Sequence, residues 1–267
     1  MAAPFATNLL GWKKSPMKDG RPSNKRRWRW VPNSADVDNA ESLDLAAALL
    51  TSLGLADPNL DLPRAATADP PPQNPGVVLE NSVLAYLKER LPILDPYRSW
   101  LVERGREITY FAQYRHLLGV TEAIAQDPNL RVTIGTDYLI KPDVTVAQLG
   151  TPTFNQQPWL HAAIACKWTI RSDRVQNIRH ENNNMIRHRR GRLPHLVTVT
   201  AEPLPSRLAS IARGTGEVDV TYHIAFAELD QAVSASSNQG QKNAWSEVVG
   251  QGRLRDFKFI ADDLEQW

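Results

Sequence analysis

Apolar positions recur every three or four residues in the first half of the chain, and beyond Pro128 the pattern shortens to alternation. Residues 39–53 (NAESLDLAAALLTSL) line their leucines along one helical face, with Gly54 where a helix would stop. In residues 69–76 (DPPPQNPG) the prolines remove backbone donors, which predicts an extended connector. Residues 76–92 and 108–126 read as amphipathic helices. Segments 132–140, 144–148, 160–167, 195–201 and 218–226 are rich in Val, Ile, Thr and Tyr and read as strands, with helices expected over 172–190 and 205–212. That order predicts an α/β fold with a central mixed β-sheet flanked by helices. Residues 1–35 read as an irregular basic arm, 36–130 as a mainly helical layer and 131–267 as the mixed-sheet core. No stretch between the halves has the length of a free linker, so one domain is expected.

With 267 residues and 42% apolar side chains, the chain can bury a substantial core. No run of about 18 apolar residues occurs. Lys13 and Lys14 stand where a secretory signal would have its hydrophobic block, so a cytoplasmic protein without a membrane partner is expected. The lone Cys166 excludes an internal disulfide and a cysteine-rich zinc site. The net charge of +2 says little, but its distribution says more. Residues 13–29 hold eight basic side chains against Asp19, and residues 171–192 hold seven arginines against Asp173 and Glu181. Two such blocks point to a polyanionic partner.

The candidate chemistry lies between those observations. KPDVTV puts Asp143 at a strand start, and Lys167 ends a neighbouring strand 24 residues later. A carboxylate and a lysine at one end of adjacent strands can hold a divalent cation and a phosphodiester together. A second acid should help, and two fit: Glu181 on the following helix and Glu80 near the start of the helix after the proline loop. Arg171, Asp173 and Arg174, in RSDR, carry the groups that pair with guanine and cytosine edges in the major groove. The same four residues also suit a plain helix start, with Ser172 or Asp173 as the cap.

Together, Pro142-Asp143, Ala165-Cys166-Lys167, Arg171-x-Asp173-Arg174 and Glu181 resemble the type II restriction endonucleases of the CCGG-cutting group, the NgoMIV-like enzymes with a PD-(D/E)xK nuclease core. In that group the acid expected two residues before the lysine is replaced by a glutamate 14 residues after it, and Glu181 has that spacing from Lys167. The resemblance implies Mg²⁺ held by Asp143, Glu181 and Cys166, with Lys167 at the scissile phosphate and Glu80 assisting. It implies base reading by Arg171, Asp173 and Arg174, and a minor-groove contact from Gln73. It further implies a GCCGGC target in double-stranded DNA, four-base 5′ overhangs and a homotetramer of two dimers. Ala165 departs from the serine often found there, and the spacing from Asp143 to Lys167 is short for the group.

Two other readings fit parts of the chain. His180, Asn184 and His188 loosely match an HNH nuclease, although that motif needs a hairpin as well as a helix. A non-catalytic DNA binder could use the basic arm with Trp12, Trp28 and Trp30 as stacking groups.

Overall fold

The computed structural model of the chain describes residues 2–17, 27–60, 70–127, 129–135, 137–150, 157–214 and 216–267. Residues 18–26 of the basic arm and Asp69 of the proline connector lie outside the described residues. The described part of the arm has regular elements, where an irregular arm was expected. It forms α1 (Ala6–Leu9) and an antiparallel hairpin of β1 (Trp12–Pro16) and β2 (Trp28–Pro32). The cause is burial: Leu9, Leu10, Trp12 and Val31 are core residues. The Asn33 side chain also ties the hairpin root to Gly11 N–H and Leu9 C=O.

α2 (Ala40–Ser52) begins at Asn39, whose side chain accepts the Ser42 N–H, and ends at Gly54 with φ 79°. α3 (Pro75–Leu94) takes proline at its first position, where the missing donor costs nothing. β3 (Trp100–Arg104) was not foreseen: it is a short edge strand between predicted helices, stabilised by pairing with a strand some 40 residues on.

The helix expected over 108–126 forms only as α4 (Leu117–Gln126), preceded by a 3-10 turn at Ile108–Tyr110. Gln113 accounts for the loss of the first half. Its buried amide donates to Leu160 C=O and accepts Leu160 N–H, acting as a strand neighbour that a helix could not supply. The strand expected over 132–140 does not form among the described residues. α5 (Asn129–Ile134) stands there, with Asp127 accepting the Asn129 N–H at its start and Gly135 at φ 74° after its end.

From Val144 to His223 the elements follow the predicted order, and those after it were not foreseen. β4 (Val144–Gln148), β5 (Trp159–Lys167), α6 (Ser172–His188), β6 (His195–Thr200), α7 (Pro205–Ala212) and β7 (Val220–His223) are succeeded by α8 (Phe226–Ala235), α9 (Gln239–Gly250), β8 (Leu254–Asp256) and α10 (Ile260–Gln266). The six-stranded sheet runs β3-β4-β5-β6-β7-β8, antiparallel through β5 and parallel from there on. It is the mixed, helix-flanked sheet that the pattern predicts. Alternation along β5 sorts its side chains. Ala162, Ile164 and Cys166 join the core that holds α2, α3 and α7–α9, while Ala163 and Ala165 face the α6 side. Lys167, one residue past Cys166, falls on the α6 face. No described helix is long and apolar enough to cross a membrane.

Candidate active site

Because β4 is antiparallel to β5, the start of β4 and the end of β5 lie at one end of the sheet. Asp143 and Lys167 meet there. Asp143 Oδ2 accepts from Lys167 Nζ at 2.7 Å and from Cys166 N–H at 2.8 Å. Both side chains remain about a quarter exposed, so the pair is fixed but reachable. Among the described residues no hydrogen bond engages Asp143 Oδ1.

Glu181 lies on the third turn of α6, on the same sheet face as Lys167. Its carboxyl is raised above the usual glutamate range, first by desolvation and then by the Asp143 charge, with Lys167 and His180 pulling the other way. The residue keeps an open face to solvent. Sensitivity to Asp143 and Lys167 together marks the three as electrostatic neighbours. Among the described residues, however, no three His, Cys, Asp or Glu side chains close into a metal cluster.

At Cys166 the thiol is not the group that a metal would meet. Its thiol is buried in the core, and burial pushes it well above the usual thiol range, so it offers no thiolate. Its N–H points at Asp143, and in an extended strand the carbonyl of the same residue leaves from the same edge. The donor set that remains, two carboxylates and one main-chain carbonyl, is all oxygen and suits a hard cation such as Mg²⁺. Glu80 is close enough for its charge to reach the Cys166 thiol. It is held by Arg104 on β3, Nε to Oε2 at 2.7 Å, and not by the start of its own helix. Gln73 sits exposed in the loop entering α3.

The RSDR corner opens α6. Arg171 occupies the N-cap position and makes no side-chain cap, and neither Ser172 nor Asp173 takes that role. Arg171 and Asp173 are exposed, whereas Arg174 donates to Thr169 C=O at 2.8 Å and Thr169 Oγ1 at 3.1 Å. Arg171 lines a hollow of about 490 Å³ with Asp36, Ser172 and Arg207, among others. Arg207 donates to Asp36 Oδ2 at 2.5 Å, and this bond leads in holding the Asp36 carboxyl below its usual range. Nothing along the chain pointed to Asp36 or Arg207, because neither stands in a motif and 171 residues separate them.

The HNH arrangement does not form. His180 and Asn184 share α6 and bond each other at 3.2 Å, and Asn184 is buried. Of the three arm tryptophans, Trp12 is buried and donates to Leu55 C=O, Trp30 is half-buried under Lys14, and Trp28 alone is largely exposed, at 63%.

Comparisons with known proteins place the chain in a family. The model of the NgoMIV restriction enzyme family matches residues 24–152 and 150–265. The type II restriction enzyme NgoMIV of Neisseria gonorrhoeae is 35% identical, covering 88% of this chain and 90% of its own. The crystal structure of the type IIF restriction endonuclease Bse634I with cognate DNA aligns more distantly, at 12% identity and a TM-score of 0.35 over 97% of each chain. The chain belongs to the NgoMIV family of type II restriction enzymes.

Proposed function

We propose that this type II restriction endonuclease makes Mg²⁺-dependent double-strand cuts at GCCGGC, leaving four-base 5′ overhangs, as a homotetramer of two dimers. The observation that carries the chemistry is the 2.7 Å pairing of Asp143 with Lys167 at a part-exposed sheet end. The oxygen donors of Asp143, Glu181 and the Cys166 carbonyl would hold the cation. When bound, it polarises a phosphoryl oxygen and lowers the pKa of the attacking water. Lys167 offsets the charge that builds on the phosphoryl oxygens as water attacks in line. The P–O3′ bond breaks with inversion at phosphorus, leaving a 5′-phosphate and a 3′-hydroxyl. Arg104 keeps Glu80 in place beside the site.

Arg171, Asp173 and Arg174 read the CCGG core, each good contact discriminating by about 1–3 kcal/mol. Gln73 reaches the minor groove. Asp36 and Arg207, on the wall of the hollow that holds Arg171, add a second carboxylate and guanidinium suited to a G·C pair. The test is digestion of a DNA of known sequence with Mg²⁺, followed by sequencing of the ends. Termini beginning 5′-CCGG at every GCCGGC support the reading, and uncut GCCGGC sites refute it. A non-catalytic binder would shift the DNA and leave every phosphodiester intact.

A further inference from the structure

Glu202 follows the end of β6 and is fully buried, yet it has no part in the chemistry above. Its carboxylate bridges the loop before α6 and the start of α7. Oε2 accepts the N–H of Ile170, the residue before Arg171, at 2.7 Å. Oε1 accepts the N–H of Leu204 at the entry to α7 at 3.1 Å. Arg207 Nη1 stands 3.9 Å from Oε2 while the other end of that guanidinium binds Asp36. Ile170, Arg171, Asp36 and Arg207 all line the same hollow. A buried carboxylate is costly unless its oxygens find donors. Here the donors belong to the loop and the helix that present arginines to that hollow.

We propose that Glu202 is the positioning residue of the base-reading corner: through the Ile170 amide and the Arg207 guanidinium it holds Arg171 and Arg207 in register with each other. This rests on the proposed reading role of that corner. A glutamine in its place accepts one of the two amides and turns its NH₂ toward the other donor, so one strut is lost while the volume is kept. Protonation of the acid has a related effect, since its O–H must then face a donor. Burial raises the Glu202 carboxyl to about 7, against the pull of the Ile170 and Leu204 amides and Arg207. The ionisable groups around it are Arg207, Asp36 and His223. Asp36 is held low and buried His223 is lowered to about 4, so both keep one charge state near neutrality.

The experiment is single-turnover cleavage, with Mg²⁺, of a GCCGGC duplex and of duplexes with one changed base pair, from pH 6 to 8.5. Wild type and Glu202→Gln are compared, with folding checked by circular dichroism. Cutting of GCCGGC by wild type establishes the underlying reading; its absence refutes that reading and not this one. Glu202→Gln is expected to lose at least about tenfold in cognate-to-mismatch ratio, to keep random-DNA binding, and to show a ratio that no longer varies with pH. The wild-type ratio is expected to fall as pH drops through about 7. An unchanged ratio in a folded Glu202→Gln overturns the proposal. Should that variant not fold, a wild-type ratio flat across the range overturns it equally.

Discussion

Asp143 and Glu202 are two carboxylates at the same end of the sheet, one before β4 and one after β6, with β5 between them. Asp143 is part-exposed and shares its charge with Lys167, while Glu202 has no exposed surface and spends its oxygens on backbone amides. The same functional group thus takes opposite tasks. An open carboxylate beside a lysine can meet a phosphate and a cation, whereas a closed one can only fix the parts around it. Position in the sheet does not decide the task; what the neighbouring loops cover does.

The comparison breaks most visibly on the open side. Lys167→Ala should slow single-turnover cleavage by about 100- to 1000-fold, the range seen when a charge-stabilising donor is removed, while specific binding in Ca²⁺ persists. Retained cleavage would move the chemistry elsewhere.

On the closed side the expected effect is on stability. The folded carboxyl of Glu202, at about 7, lies above the ordinary value of 4.5, so its contribution is present at low pH and fades as pH rises through that window. Relative to Glu202→Gln, wild type should lose up to about 3 kcal/mol of unfolding free energy between those limits. Urea titrations at pH 4.5 and 7.5 measure it, and a constant difference would mean the group is not desolvated in the folded state.

A smaller change sharpens the boundary between the two regions. Arg171→Ala should lower specific affinity by about 1–3 kcal/mol and leave random-DNA binding as it was; equal losses on both would make Arg171 a phosphate contact. The smallest concerns the hairpin, outside both regions. Trp28→Ala, at an exposed position, should change stability by no more than about 0.5 kcal/mol.

The open region was legible in the sequence because its residues sit at strand ends, and strand ends follow from alternation: Asp143 opens β4 and Lys167 closes β5. The closed region was not, since Glu202 acquires meaning only from the Ile170 amide 32 residues earlier. The same limit explains Gln113, whose amide replaces a strand neighbour 47 residues away inside a segment with good helical spacing. It also explains Asp36 and Arg207, which no local pattern joins. The hairpin was hidden for another reason: its lysines and arginines masked the buried Trp12 and Val31 that anchor it.

The central claim is that Asp143 and Lys167 act as one unit at the sheet end, and a double-mutant cycle tests it most directly. Single-turnover rates on a GCCGGC duplex with Mg²⁺ would be measured for wild type, Asp143→Asn, Lys167→Ala and the double variant. Residues that act as a unit give strongly non-additive losses, so the double variant should be no more than about tenfold slower than the worse single. Losses that multiply would show that the two side chains work independently and contradict the account.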